Sequence, residues 1–186
     1  MFALLSSGRE LAALLLTRNL DVELYVTATW SRPDLVYGEG NPWAGRPIEA
    51  MGREVEAAYG RLAAEVPGVK AVNPVGEAFN RAMRAGIADS DPYDGIGPGM
   101  IDLWAWDHYH ASTSRYYLEA LVVFGNVTGL DPVGLGPAEC GGYELGRSAP
   151  EVLALPQVAR DALSAAGVAL ARVEGRVPGN RGLPCL

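Results

Sequence analysis

Histidine and cysteine are nearly missing from this chain: 186 residues hold two of each. Two cysteines, Cys140 and Cys185, do not make the disulfide framework of a small secreted scaffold, and two unpaired thiols are expected. His108 and His110 stand two residues apart, so a zinc site with three or four His/Cys ligands has little to draw on. Basic residues are short as well, 15 against 22 acidic ones, for a formal net charge of −7. Nucleic-acid binding needs a basic face, so no nucleic-acid partner is expected. No apolar run reaches the roughly 18 residues that argue for a membrane helix, so no membrane span is expected. The opening residues are apolar but lack the pattern of a secretory leader. No basic stretch follows Met1, Arg9 and Glu10 interrupt the run, and no small-residue cleavage site precedes Asp21. The chain shows no address; a periplasmic or secreted protein would need a leader encoded further upstream.

What is there is a composition 49% hydrophobic and 20% charged, as in folded globular chains, at a length that suits one domain. Leu4, Leu5, Gly8, Leu11, Ala12, Leu15 and Leu16 recur at helical spacing. Residues 22–30 alternate apolar and polar with a period of two, which predicts a strand. Residues 31–46 form a long loop rich in Gly, Pro and aromatics. Pro47 then opens a second helix with Ile48, Met51, Val55, Ala58, Tyr59, Leu62 and Val66 as its buried stripe. A second strand is expected over 69–75, a third helix over 76–85, a second long loop over 86–105, and a fourth helix over 112–128 that closes at Gly129. Residues 131–147 form a Gly-rich connection. Ser148 and Glu151 have capping-box spacing and open a fifth helix, which Pro156 is expected to kink or restart.

Strands separated by helices define an α/β fold with parallel pairing. Yet sheets usually hold about four to six strands, and a parallel sheet is covered on both faces. Two strands suit the rear portion of a larger domain. Residues 1–130 are thus expected to form the C-terminal part of an α/β domain. Residues 131–172 supply the connection and a helix packing on it, and residues 173–186 a disordered tail. An incomplete sheet also offers a route to self-association.

The chemistry concentrates at Asp107-His108-Tyr109-His110. In a turn leading into a helix, positions i and i+3 face the same way. Asp107 can then accept from one ring nitrogen of His110, fix its tautomer and leave the other nitrogen free as a base. The helix N-terminus disfavours an imidazolium there. A base oriented by an acid is what a serine-nucleophile hydrolase requires. The same spacing also serves plain helix capping. His108, next to Asp107, is expected to point elsewhere. A metal held by Asp107, His108 and His110 has too few ligands for a closed site, so neither metal nor cofactor is expected.

Trp30, Trp43, Trp104 and Trp106, with Tyr37, Tyr93 and Tyr109, fall at loop positions, where α/β folds bind ligands. Trp43, Trp106, Tyr109 and Tyr37 are the candidates for contact with a sugar ring or acyl chain. Trp30 and Trp104 suit the core equally well. The spacing of Asp34, Asp89, Asp91, Asp94 and Asp102 fits no EF-hand loop, and solvated loop charge is expected.

Several blocks together resemble a bacterial branch of the SGNH (GDSL-type) hydrolase superfamily. They are Ala28-Thr29-Trp30-Ser31-Arg32, Arg46-Pro47-Ile48-Glu49-Ala50-Met51, Val75-Gly76-Glu77-Ala78, Asp107-His108-Tyr109-His110-Ala111-Ser112 and Glu139-Cys140-Gly141-Gly142-Tyr143-Glu144-Leu145-Gly146. The resemblance covers about residues 5–165. It implies a flavodoxin-like three-layer fold and hydrolysis of a small-molecule ester or acylated sugar, with Asp107 as catalytic acid and His110 as base. It also implies a Gly-Asp-Ser nucleophile block and a Gly-x-Asn-Asp oxyanion block, and neither is in this sequence. Ala88-Asp89-Ser90 is a poor stand-in: it lies just ahead of the acid–base block and lacks the glycine. Asn41, in Gly40-Asn41-Pro42, does not fit the oxyanion motif, and Ser6, Ser7 and Ser31 have no supporting context. The expectation is a C-terminal hydrolase portion, inactive alone. The competing readings are a non-catalytic module that binds carbohydrate or a partner through the aromatic loops, and a metal hydrolase at the tetrad.

Overall fold

The computed structural model describes residues 2–174; the expected tail over 173–186 falls almost entirely outside them. The described residues form a mixed α/β structure with seven α-helices and one small parallel sheet. In chain order these are α1 (Phe2–Arg18), β1 (Leu24–Thr27), α2 (Pro33–Val36), α3 (Ile48–Glu65), β2 (Val69–Asn73), α4 (Val75–Arg84), α5 (Thr113–Thr128), α6 (Cys140–Glu144) and α7 (Ala149–Ala165), with one 3₁₀ turn at Pro132–Leu135. No described helix is long and apolar enough to cross a membrane.

β1 and β2 pair in parallel, Tyr25 opposite Ala71 and Thr27 opposite Asn73, with an irregularity after Leu24. The expected strand over 22–30 shrinks to four residues, all half-buried. Its alternation does not separate a wet face from a dry one, because two strands are too narrow to shield either face. One carbonyl on the second edge of β2 is taken by a side chain. Asn73 turns its carbonyl to the amide of Ala28 (3.1 Å), so the Val72 carbonyl faces away. Asn126 of α5 takes it, with Nδ2 3.0 Å from Val72 O and 2.8 Å from Asn73 Oδ1.

The main core lies between α4, α5 and α7. Val75, Ala78, Phe79, Ala82 and Met83 of α4 meet Leu118, Leu121 and Val122 of α5 and Leu155, Val158, Ala159, Ala162 and Leu163 of α7. These positions repeat at three and four residues, the spacing that puts side chains on one helical face. Close approach at the end of β1 depends on Gly76: a Cβ there would sit 2.4 Å from Thr29 O. α5 begins at Ser112, whose hydroxyl accepts from the Arg115 amide, and ends at Gly129 in the left-handed region (φ 69°). α7 opens on the Ser148–Glu151 capping box. The expected restart at Pro156 does not occur: α7 is one helix from Ala149 to Ala165, with Pro156 inside it and buried in the core, although the proline removes one amide donor.

A second, thin cluster lies on the other side. Only Ala12, Leu62 and Val66 are buried there, with Leu4, Leu5, Leu24, Val26 and Val69 half-covered around them. Leu11 and Leu15 are exposed, so the predicted apolar stripe of α1 is covered only in part. The cysteine expectation is also corrected. Cys140, on α6, is disulfide-bonded rather than a free thiol, while Cys185 lies outside the described residues.

Candidate active site

Residues 104–111 form a tight loop closed at its base by an antiparallel bridge between Trp104 and Ala111. The Ala105 amide donates to the His110 carbonyl (2.8 Å), the His108 amide to Ala105 O (2.8 Å), and the Ser112 amide to Leu103 O (3.1 Å). Ser112 also donates its hydroxyl to Asp102 O (2.7 Å), fixing the loop to the start of α5.

Within this loop Asp107 and His110 come together. Asp107 Oδ1 accepts from the amides of Tyr109 (3.1 Å) and His110 (2.9 Å), and Oδ2 lies 2.5 Å from Nδ1 of His110. The contact with the His110 ring, reinforced by the two amides, holds the Asp107 carboxyl down at about 2. An ionised carboxylate only accepts, so Nδ1 carries the shared proton, and Nε2 makes no hydrogen bond among the described residues. The Asp107 side chain is one-quarter exposed and that of His110 is 64% exposed, so Nε2 is open to an incoming group. His108 does not join them. It has a left-handed backbone (φ 55°) and sets its ring edge-on to Tyr93, centroids 4.3 Å apart.

The aromatic candidates divide. Tyr109 lies between the pair and a cation: its ring meets His110 edge-on at 4.5 Å, and the Arg32 guanidinium lies 4.1 Å from its centroid. Arg32 is held by Asp34 through Nε (3.1 Å) and Nη2 (2.6 Å). Tyr37 donates its hydroxyl to Ser90 O (2.8 Å) and meets Tyr93 edge-on. Burial, then Asp91, Glu49, Asp94 and Asp89, push its phenol up to about 12. Trp43 is half-buried against the main core, with Arg46 over its ring at 4.5 Å. Trp106 stands free, 92% exposed. Trp104 is a core residue, and Trp30 packs on Phe79.

Ala88-Asp89-Ser90 is a structural turn. Asp89 accepts from the amides of Gly97 (2.8 Å) and Asp91 (3.1 Å), which hold its carboxyl below the usual range, the Gly97 bond most of all. Among the described residues no serine hydroxyl hydrogen-bonds to His110. Ser31 is buried and donates to Ile48 O (2.7 Å), while Ser114 donates to Glu151 (2.6 Å). No group of three or more His, Cys, Asp and Glu able to hold a metal occurs among the described residues. A cleft of about 720 Å³, lined by Met100, Asp102, Trp104, Ser114 and Glu151 among others, contains neither Asp107 nor His110.

Sequence reasoning passed over Arg115. It is fully buried, with its guanidinium 4.0 Å from the Trp30 ring centroid, 4.6 Å from Phe79 and 5.4 Å from Trp104. It donates to Leu103 O (3.4 Å) and Ser31 O (3.5 Å), tying the acid–base loop to the segment after β1. Burial pushes its ionisation well down, opposed by the charges of Glu119, Tyr116 and Asp102, while the three ring faces lie against the cation. A local signal existed: Arg115 precedes Leu118 and Val122 by three and seven residues, on the buried stripe of α5.

Comparison of the chain with family models, with curated proteins and with solved structures found no match.

Proposed function

We propose that this chain supplies the acid–base pair of an SGNH-like serine hydrolase, with Asp107 as orienting acid and His110 as general base. The attacking serine comes from outside these 186 residues. The carrying observation is the 2.5 Å contact between Asp107 and Nδ1 of His110, with the ring exposed to solvent. In such a site Nε2 takes the serine proton as the hydroxyl attacks an ester carbonyl, then returns it to the leaving alcohol. A flavodoxin-like three-layer architecture goes with this reading, and small esters or acylated sugars are the substrate class. The same reading includes self-association through the sheet, since among the described residues β1 pairs along one edge only, beside the exposed Leu11 and Leu15 of α1.

The test is fluorophosphonate labelling of the 186-residue chain. No serine label is expected. A label that disappears when an internal serine is replaced would overturn the reading. The chain should still cleave an activated aryl ester slowly at its imidazole, losing most of that rate in His110→Ala and part of it in Asp107→Asn. Sedimentation over a concentration series tests self-association, and a monomer throughout would remove that part.

A second reading, a non-catalytic module for carbohydrate or a protein partner, draws on Trp106, whose ring makes almost no contact with the rest of the chain. Glycan binding that survives His110→Ala and disappears in Trp106→Ala would favour it.

A further inference from the structure

A residue outside the acid–base loop touches the turn at its centre. Asp107 reaches two amides and the His110 ring because the chain reverses at His108. That reversal uses a left-handed backbone, which a residue with a Cβ adopts at a cost; among the described residues, His108 is the non-glycine with positive φ. Such a conformation persists where surrounding contacts hold it. The His108 amide bond to Ala105 O and the Asp107 bonds span the turn; the side-chain contact on His108 itself is Tyr93, 53% exposed, whose ring is perpendicular to the His108 ring at 4.3 Å. Tyr93 is itself braced. Its amide donates to Asp91 Oδ1 (3.0 Å), the Asp91 amide donates to Asp89, and its ring meets Tyr37, which is anchored on Ser90. The aspartates of this segment, expected to be solvated charge, accept backbone amides that shape the turn presenting Tyr93.

We propose that Tyr93 is a positioning residue for the acid–base pair: its ring clamps His108 in the left-handed turn that brings Asp107 onto Nδ1 of His110. The proposal rests on reading Asp107 and His110 as an acid–base pair. It assigns His108 a role that neither a base nor a metal ligand would have. It also explains how a loop about fifteen residues upstream bears on His110 without touching substrate.

The experiment uses the imidazole ¹H–¹⁵N spectra of the whole chain at a pH where His110 is neutral. The wild type should show His110 as one tautomer, with Nδ1 protonated and Nε2 not. Tyr93→Ala should move both nitrogens toward the averaged shifts of a free imidazole, and Tyr93→Phe should leave them unchanged. Glycine at 108 needs no clamp. His108→Gly should therefore keep the wild-type tautomer and make it indifferent to Tyr93→Ala. Wild-type shifts in Tyr93→Ala would overturn the proposal. So would equal disturbance by Tyr93→Ala with His108 or with glycine at that position. Amides of α5 and α7 report folding in the same samples. The readout is independent of turnover, so a failed clamp and a failed hydrolase reading give different results. The latter would appear as ester cleavage indifferent to His110→Ala in a chain whose tautomer is intact.

Discussion

Twenty-one buried side chains form one continuous cluster around α4, α5 and α7, whereas the side bearing α1 and β1 buries three. Both regions are built from amphipathic helices of similar length, α1 and α7 having 17 residues each. The difference lies in what faces them. α7 meets two helices whose apolar stripes match its own. α1 meets one edge of α3 and a two-stranded sheet, leaving Leu11 of its apolar stripe at 57% exposure and Leu15 at 38%. Apolar area removed from water is what stabilises a fold, so the structure should be firm on one side and loosely held on the other. The candidate site lies on the firm side, where Arg115 and the cap of α5 anchor its loop.

The largest effect expected is in the main core. Leu118→Ala, at a fully buried position, should cost about 3–5 kcal/mol and lower the unfolding midpoint of the whole chain in denaturant. Arg115→Ala should follow at about 3 kcal/mol, since it opens a cavity beneath three rings and takes one donor each from Leu103 O and Ser31 O, which keep the Ser112 amide and the Trp104 indole as partners. Leu62→Ala, in the thin cluster, should cost about 2 kcal/mol. It should appear in hydrogen exchange as faster opening of α1 and β1, with α5 and α7 unaffected. Loss of stability by all elements together would erase the contrast between the regions.

His110→Ala should leave stability within about 0.5 kcal/mol. In this variant the Asp107 carboxyl should titrate above its wild-type value of about 2, toward the ordinary carboxylate range, as followed by ¹³C shifts. The sign follows from the lowered folded value. The Asp107 contacts are fully present above the unfolded carboxyl pKa and are lost as pH falls toward about 2. Smallest of all, Leu14→Ser on exposed α1 should change folding stability by less than about 0.5 kcal/mol. A larger cost would show that α1 is covered in solution.

Much of the helical frame was legible locally. The Ser148–Glu151 box, the Ser112 cap, the Gly129 stop and the apolar spacing of α5 and α7 are short-range devices, and each is a helix boundary or face in the structure. Local devices also misled. Pro156 is a helix breaker in isolation, but it sits inside α7 because the core packs around it. The alternation over 22–30 yields only Leu24–Thr27 as strand, since a strand lasts as long as its partner and β2 offers five residues.

The candidate site divides the same way. Asp107 and His110 are three residues apart, so chain connectivity alone brings them into reach, and their pairing could be read from spacing. Arg32 over Tyr109, Tyr93 against His108, and the cage of Trp30, Phe79 and Trp104 around Arg115 join residues separated by about 11 to 85 positions. No local preference encodes such pairs. The sequence by itself determined the five long helices, the ends of α5 and α7 and the Asp107–His110 turn, because those interactions span at most one helical turn; the short helices α2 and α6, in segments expected to be loop, were not legible. Only the tertiary structure decided that Trp106 stays in water, that Trp104 lies in the core and that α1 is thinly covered, because burial depends on what the rest of the chain brings opposite each face.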